Sequence, residues 1–161
     1  DTEHICVAGI GSNMISGDSL GPFVGTLLRQ TFPGHLTILG DLQDPLDGTA
    51  IHTEVLRMSL PENSFVIAID SVLGSESVLN SIVIIDEPLQ PGAGLGKKLP
   101  SIGDCSIMGV VLEKNPSDEA SLLCTDLNLI YTMATNIAKG ISLLVRQYFQ
   151  YPADHPLLQI R

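Results

Sequence analysis

The sequence has no tryptophan, and aromatic residues make up only 4% of it. Positive charge is scarce too, with eight Lys and Arg against eighteen Asp and Glu and a formal net charge of −10. A nucleic-acid surface needs a basic stripe to displace counterions, so no nucleic-acid partner is expected. The acid surplus suits a basic or neutral partner, although acidity also serves solubility alone. No apolar run approaches the ~18 residues of a membrane span and no signal-peptide pattern is visible, so no membrane partner is expected. The three cysteines, Cys6, Cys105 and Cys124, are far apart and form no CxxC. Their odd number and apolar settings predict reduced thiols of a cytoplasmic protein, and none has a nearby His to make it a nucleophile.

What remains is aliphatic. Hydrophobic residues are 44% of the 161 and charged ones 16%, which predicts one globular α/β domain over 1–161 with a substantial core. The chain opens on Asp1 and not on methionine, from which a preceding N-terminal piece is expected. Residues 5–10 (ICVAGI) form a short continuous apolar run, the mark of a strand buried on both faces. Leu20, Phe23, Val24, Leu27 and Leu28 recur at helical spacing until Pro33-Gly34. A strand at 36–40, a helix near 48–58 and a strand at 65–70 (FVIAID) follow. This β-α-β-α-β order predicts a parallel sheet with helices on both faces, three layers in all, with room for one antiparallel edge strand.

Residues 81–86 and 105–113 read as two more strands, separated by a loop with three prolines and four glycines. Leu123, Leu127, Ile130, Ala134, Ile137, Ile141, Leu144 and Tyr148 step alternately by four and three, predicting a helix from about 120 to 149. The tail from about 150 reads as peripheral.

The stretch GIGSNMISGDSLGP, residues 9–22, raises a choice between a phosphate cradle and a displayed carboxylate. A dinucleotide fingerprint fails because Met14 stands where its third glycine belongs. The GAGLGK run at 92–97 fails as a P-loop, since Pro91 takes the first glycine's place and Lys98 that of the magnesium-binding hydroxyl. Carboxylates fit better. Asp18 lies after the first strand and Asp70 ends the third, and adjacent parallel strands place their carboxyl ends around one crevice. Two acids there share a proton, so one can activate water while the other protonates a carbonyl or leaving group. The structural alternative is that Asp18 caps the following helix and Asp70 accepts backbone N–H groups of the next turn.

GIGSNMISGDSLGP, the AID at 68–70, EPLQPGAGLGKKLPSIGD at 87–104 and the late TDLNLIYTMATNIA helix together resemble the YyaC-type sporulation proteins. These are similar to germination proteases and, more distantly, to hydrogenase maturation proteases. The resemblance implies an aspartic-type peptidase, with Asp18 and Asp70 as its two carboxylates. It implies a cytoplasmic place in a sporulating cell or spore. The chain departs from the pattern at Asn13-Met14, where a basic residue is usual, and at Thr125-Asp126, where Thr-Arg is.

The leading expectation is peptide-bond hydrolysis by Asp18 and Asp70 acting on water, without a cofactor. Asn13 would orient the substrate carbonyl, and Gly92, Gly94, Gly96 and Lys97 would form a lid over the cleft. The substrate would be a protein or peptide, of basic character if the charge is a guide, and a homo-oligomer is left open. One alternative is a non-catalytic interaction protein on the same fold. Another is a nickel-dependent endopeptidase of the hydrogenase-maturation type, for which His4, His35, His52 and His155 are poorly placed beside the acids.

Overall fold

The computed structural model describes residues 1–48, 53–92, 98–114 and 124–155. The strands are β1 (His4–Gly9), β2 (Leu36–Leu39), β3 (Ser64–Gly74), β4 (Ile82–Ile85) and β5 (Cys105–Glu113). The helices are α1 (Leu20–Leu28), α2 (Thr53–Met58) and α3 (Leu127–Tyr148). The strands form one sheet in the order β2-β1-β3-β5-β4. β1 is parallel to both β2 and β3, β3 is parallel to β5, and β4 joins the edge antiparallel to β5.

The alternating strand faces make two cores. On one face Ile5, Val7, Ile67, Ile69 and Ile107 meet Leu20, Val24 and Leu28 of α1 and Ile130, Ala134 and Ile137 of α3. On the other, Cys6, Ala8, Val66 and Ala68 meet Leu89 and Ile102, with Leu56 of α2 packed against them. The expected three layers are therefore present.

Element boundaries shift for identifiable reasons. α1 stops at Leu28, ahead of Pro33, because Gln30 takes a positive φ of 63° and reverses the chain. β3 runs four residues past Asp70, since β5 continues to pair with it to Gly74 after β1 has ended at the Gly9–Ile69 pair. α3 begins at Leu127, where Asp126 Oδ1 accepts the Asn128 N–H at 2.8 Å. The departure at Asp126 thus supplies a helix cap. At about 33 Å, α3 is more than twice as long as the nine-residue α1 it crosses. Burial along α3 runs from Ile130 to Val145, while Leu127, Leu144 and Tyr148 of the expected stripe are exposed and Leu123 lies outside the described residues. The tail turns back at 150, and Tyr151 packs against Phe32 and pairs its hydroxyl with His35 Nδ1 at 2.6 Å.

The glycines of the opening motif serve close packing. A Cβ on Gly9 would meet the carbonyl oxygens of Gly21 and Gly40. One on Gly21 would lie 2.5 Å from the Ile10 nitrogen and 2.7 Å from the Ile69 oxygen. Only hydrogen at these positions lets the first turn of α1 rest on the ends of β1 and β3. Gly21→Ala is accordingly expected to lower stability by about 1–3 kcal/mol, read as a fall in the urea midpoint with an unchanged slope.

Candidate functional site

Strand order reverses between β1 and β3. The chain leaves β1 through α1 toward β2 on one side, then returns through α2 to β3 on the other. At such a switch point the connections part and leave a crevice at the carboxyl ends of the strands. Asp70 is the first β3 residue beyond the end of β1, paired on its other side with Met108 of β5. The loop after β1 fills the vacated side and carries a short 3-10 turn, Ser16–Asp18.

The first N–H groups of that loop are already engaged. Ile10 N–H donates to the Ile69 carbonyl at 2.8 Å, Gly11 N–H to that of Leu46 at 3.0 Å and Ser12 N–H to that of Asp18 at 2.8 Å. Gly11 itself, at φ 141°, has no room for a Cβ beside the Asp18 carbonyl. The failed phosphate motifs in the sequence and the filled hydrogen bonds in the structure agree. The loop exists to fold back on itself and present Asp18.

Asp18 and Asp70 both line one cavity of about 480 Å³, together with Ser71, Val72, Leu73, Ile85, Pro88 and Met108. Asp18 is half-buried, whereas Asp70 is only 8% exposed. Burial pushes the Asp70 carboxyl well above its ordinary range, and the charge of Asp18 pushes it the same way. The Ser71 N–H, donating to Asp70 Oδ1 at 2.8 Å, opposes both more weakly.

The structural alternatives hold in part. The N-cap of α1 is Ser19 and not Asp18, and its hydroxyl donates to the Ser16 carbonyl at 2.7 Å. Asp70 does accept a backbone N–H of the segment after it, but from Ser71 alone among the described bonds. That contact does not outweigh burial beside a second acid.

The other expected residues are distributed differently. Gly92, at φ 68°, lines the same cavity, at the base of a loop clasped by reciprocal backbone bonds between Leu89 and Ile102 of 2.8 and 2.9 Å. Gly94, Gly96 and Lys97 lie outside the described residues. Asn13 lines a second depression with Met14, Phe23 and Leu127, and its Nδ2 donates to the Leu42 carbonyl at 2.9 Å. It is not brought together with the pair. Ser71 is a residue that the sequence reading missed. Its backbone borders the acid cavity, but its Oγ is fully buried without a hydrogen-bond partner among the described residues, and strand alternation turns it to the face opposite Asp70, where its partner Gly109 meets Leu20 and Met133. Its place next to Asp70 at a strand end was the available signal.

The donor set does not fit nickel. Among the described residues no three of His, Cys, Asp and Glu gather as a metal group. His4 and His35 sit at the amino ends of β1 and β2, on the far side of the sheet from the acids, and His155 donates to the Thr31 carbonyl at 3.0 Å. His52 lies outside the described residues. Burial pushes the Cys6 thiol up to about 12 and raises that of Cys105 as well, which disfavours the reactive thiolate at both.

The architecture is that of the hydrogenase maturation proteases, an α/β fold with its crevice at the β1/β3 switch point. The chain belongs to the DUF1256 family, described as a protein of unknown function, whose pattern matches residues 1–140. It is 37% identical over 159 residues to the uncharacterized protein YyaC of Bacillus subtilis (strain 168), covering 98% of this chain and 78% of that one. The hydrogenase maturating endopeptidase HybD from E. coli matches with a TM-score of 0.56 at 13% identity, over 90% of this chain and 93% of its own. The [NiFe] hydrogenase maturation protease HycI from Thermococcus kodakarensis KOD1 matches with a TM-score of 0.55 at 17% identity, over 89% and 93%. At such identities the likeness is one of fold. No helix among the described residues is long and apolar enough to cross a membrane.

The raised Asp70 carboxyl has a consequence for stability. Its folded pKa exceeds the unfolded value near 3.9, so between the two the folded state holds the extra proton. Stability from this group is complete below about pH 4 and is lost as pH rises through the folded pKa. Asp70→Asn removes the charge and keeps the shape. Its stability at pH 7 is expected to equal or exceed that of the parent by on the order of 1 kcal/mol, read as an equal or higher melting point, with the gap closing toward pH 4. A lower melting point for the Asn variant at neutral pH would make Asp70 a structural acceptor.

Proposed function

We propose that the protein is a peptidase in which Asp18 and Asp70 act together on water at a peptide bond. The observation that carries this reading is a buried carboxyl with a raised pKa sharing a cavity, at the switch point of the sheet, with a second carboxylate. Asp70, its carboxyl held above the ordinary carboxylate range by burial and by the charge of Asp18, serves as the acid that protonates the carbonyl or leaving amine. Asp18, the more exposed member, serves as the base that takes a proton from the attacking water.

The walls define the substrate. Val72, Leu73, Ile85, Pro88 and Met108 favour an apolar side chain next to the scissile bond, with Glu87 and the acidic surface drawing basic segments of the polypeptide. The cavity volume suits a few extended residues, so the segment cleaved would be a tail or an unfolded stretch. A role in a sporulating cell or spore rests on the motif resemblance, and a cytoplasmic location on the composition.

Cleavage of unfolded basic protein, followed by mass spectrometry, tests the reading. Asp18→Asn and Asp70→Asn should each lower kcat by at least about a hundredfold, because each removes one half of the proton transfer. The pH profile of kcat should be bell-shaped, its alkaline limb set by Asp70 and absent from the residual activity of Asp70→Asn. Activity that survives both Asn variants would remove the acids from the chemistry and favour an interaction protein on this fold.

A further inference from the structure

β4 is the last strand of the sheet, and among the described residues nothing pairs with its outer edge. All four of its residues, Ile82-Val83-Ile84-Ile85, are apolar. Ile84 is 71% exposed, and Ile82, Ile85, Val78 and Leu79 are exposed beside it. An edge strand of a monomer is ordinarily protected by a charge or a proline within it, and this one has neither. A covering partner is the physical remedy for such an edge.

We propose that this edge is the contact between two copies of the chain, joined by antiparallel pairing of β4 with β4 about a two-fold axis. The backbone sets the register. Val110 N–H donates to the Ser81 carbonyl at 2.9 Å, so residue 81 faces inward toward β5. Alternation then turns the N–H and C=O groups of Ile82 and Ile84 outward. Pairing these groups between two copies places Ile82 opposite Ile84 of the second copy, with the two Val83 residues facing each other across the axis. Asn80, at φ 64°, ends the pairing segment on one side.

The charge pattern selects this arrangement. Asp86 and Glu87 follow the strand, whereas Asn80 and Ser81 precede it. Antiparallel pairing sets Asp86 opposite Asn80 of the second copy and Glu87 opposite Leu79, so the acids avoid one another. Parallel pairing would set Asp86 against Asp86, which is repulsive. A substrate strand is a poorer occupant. Strands lie about 4.8 Å apart, so one added outside β4 sits three steps, about 14 Å, from β3 and its Asp70. A peptide held there would not bring its own bond to the acids. The contact is therefore separate from the proposed chemistry and does not depend on it.

Sedimentation velocity from about 1 to about 200 µM should show a concentration-dependent monomer–dimer equilibrium. Ile84→Asp should shift it to monomer while circular dichroism and melting point stay those of a folded protein. Val83→Cys, in a Cys124→Ser background, should give a disulfide-linked dimer that thiol reductant abolishes. The facing Val83 pair is of the non-hydrogen-bonded kind, with Cα atoms about 4.5 Å apart and within disulfide reach. A protein that stays monomeric throughout overturns the proposal and leaves the edge to a partner of another sequence. A dimer indifferent to Ile84→Asp, or one that Val83→Cys does not cross-link, overturns it equally by placing the contact on another face.

Discussion

The acid site depends on a contact between backbones. Gly9, Gly21 and Gly40 meet where β1, α1 and β2 converge, each leaving no space for a Cβ beside a neighbouring carbonyl. With a methyl group at any of them, α1 would stand away from the strand ends. The loop joining β1 to α1 would then no longer bond to the Ile69, Leu46 and Asp18 carbonyls. Asp18 is presented by that loop, so its position beside β3 is a consequence of glycine packing several residues away. This close approach has a chemical outcome: the N–H groups of Ile10, Gly11 and Ser12 are already taken.

Against this rigid frame the two carboxylates are an electrostatic liability. Asp70 is buried in a largely apolar wall, and its nearest compensation is one N–H bond from Ser71. A second acid beside it adds repulsion where a structural role would call for a cation. Elsewhere the same chain handles buried acid in the ordinary way. Asp41, also buried, is paired with Arg29 and accepts the N–H groups of Gln43 and Asp44 at 2.8 and 2.9 Å. Asp104 accepts Val66 N–H at 2.8 Å and Arg57 at 3.0 Å. The contrast at Asp70, buried beside a second acid with one N–H bond, supports the proposal that it is kept for chemistry at the expense of stability.

The opening and closing segments of the sheet divide labour. The amino ends of β1 and β2 are held by aromatic and imidazole stacking, with His35 stacked on Phe149 at 4.3 Å and Phe32 on His155 at 4.9 Å. These histidines tie down the end of α3 and the tail, so the end of the sheet away from the acids is the structurally committed one. The carboxyl ends are left open to carry the cavity.

The sequence by itself determined the local elements and the chemistry at stake. Apolar runs at 5–10 and 65–70, the helical stripe at 20–28 and the strand order β-α-β-α-β are local patterns, and local patterns follow from side-chain periodicity. Residue identity alone also ruled out both phosphate motifs and singled out Asp18 and Asp70. Tertiary structure decided the rest. Where β3 ends depends on β5 outlasting β1 as its neighbour, and which residues of α3 are covered depends on how α1 and the sheet pack against it. The unpartnered hydroxyl of Ser71, the separation of Asn13 from the pair and the bare edge of β4 all depend on strand order. That order is set by which faces pack together over long sequence distances, and no short window of sequence contains it.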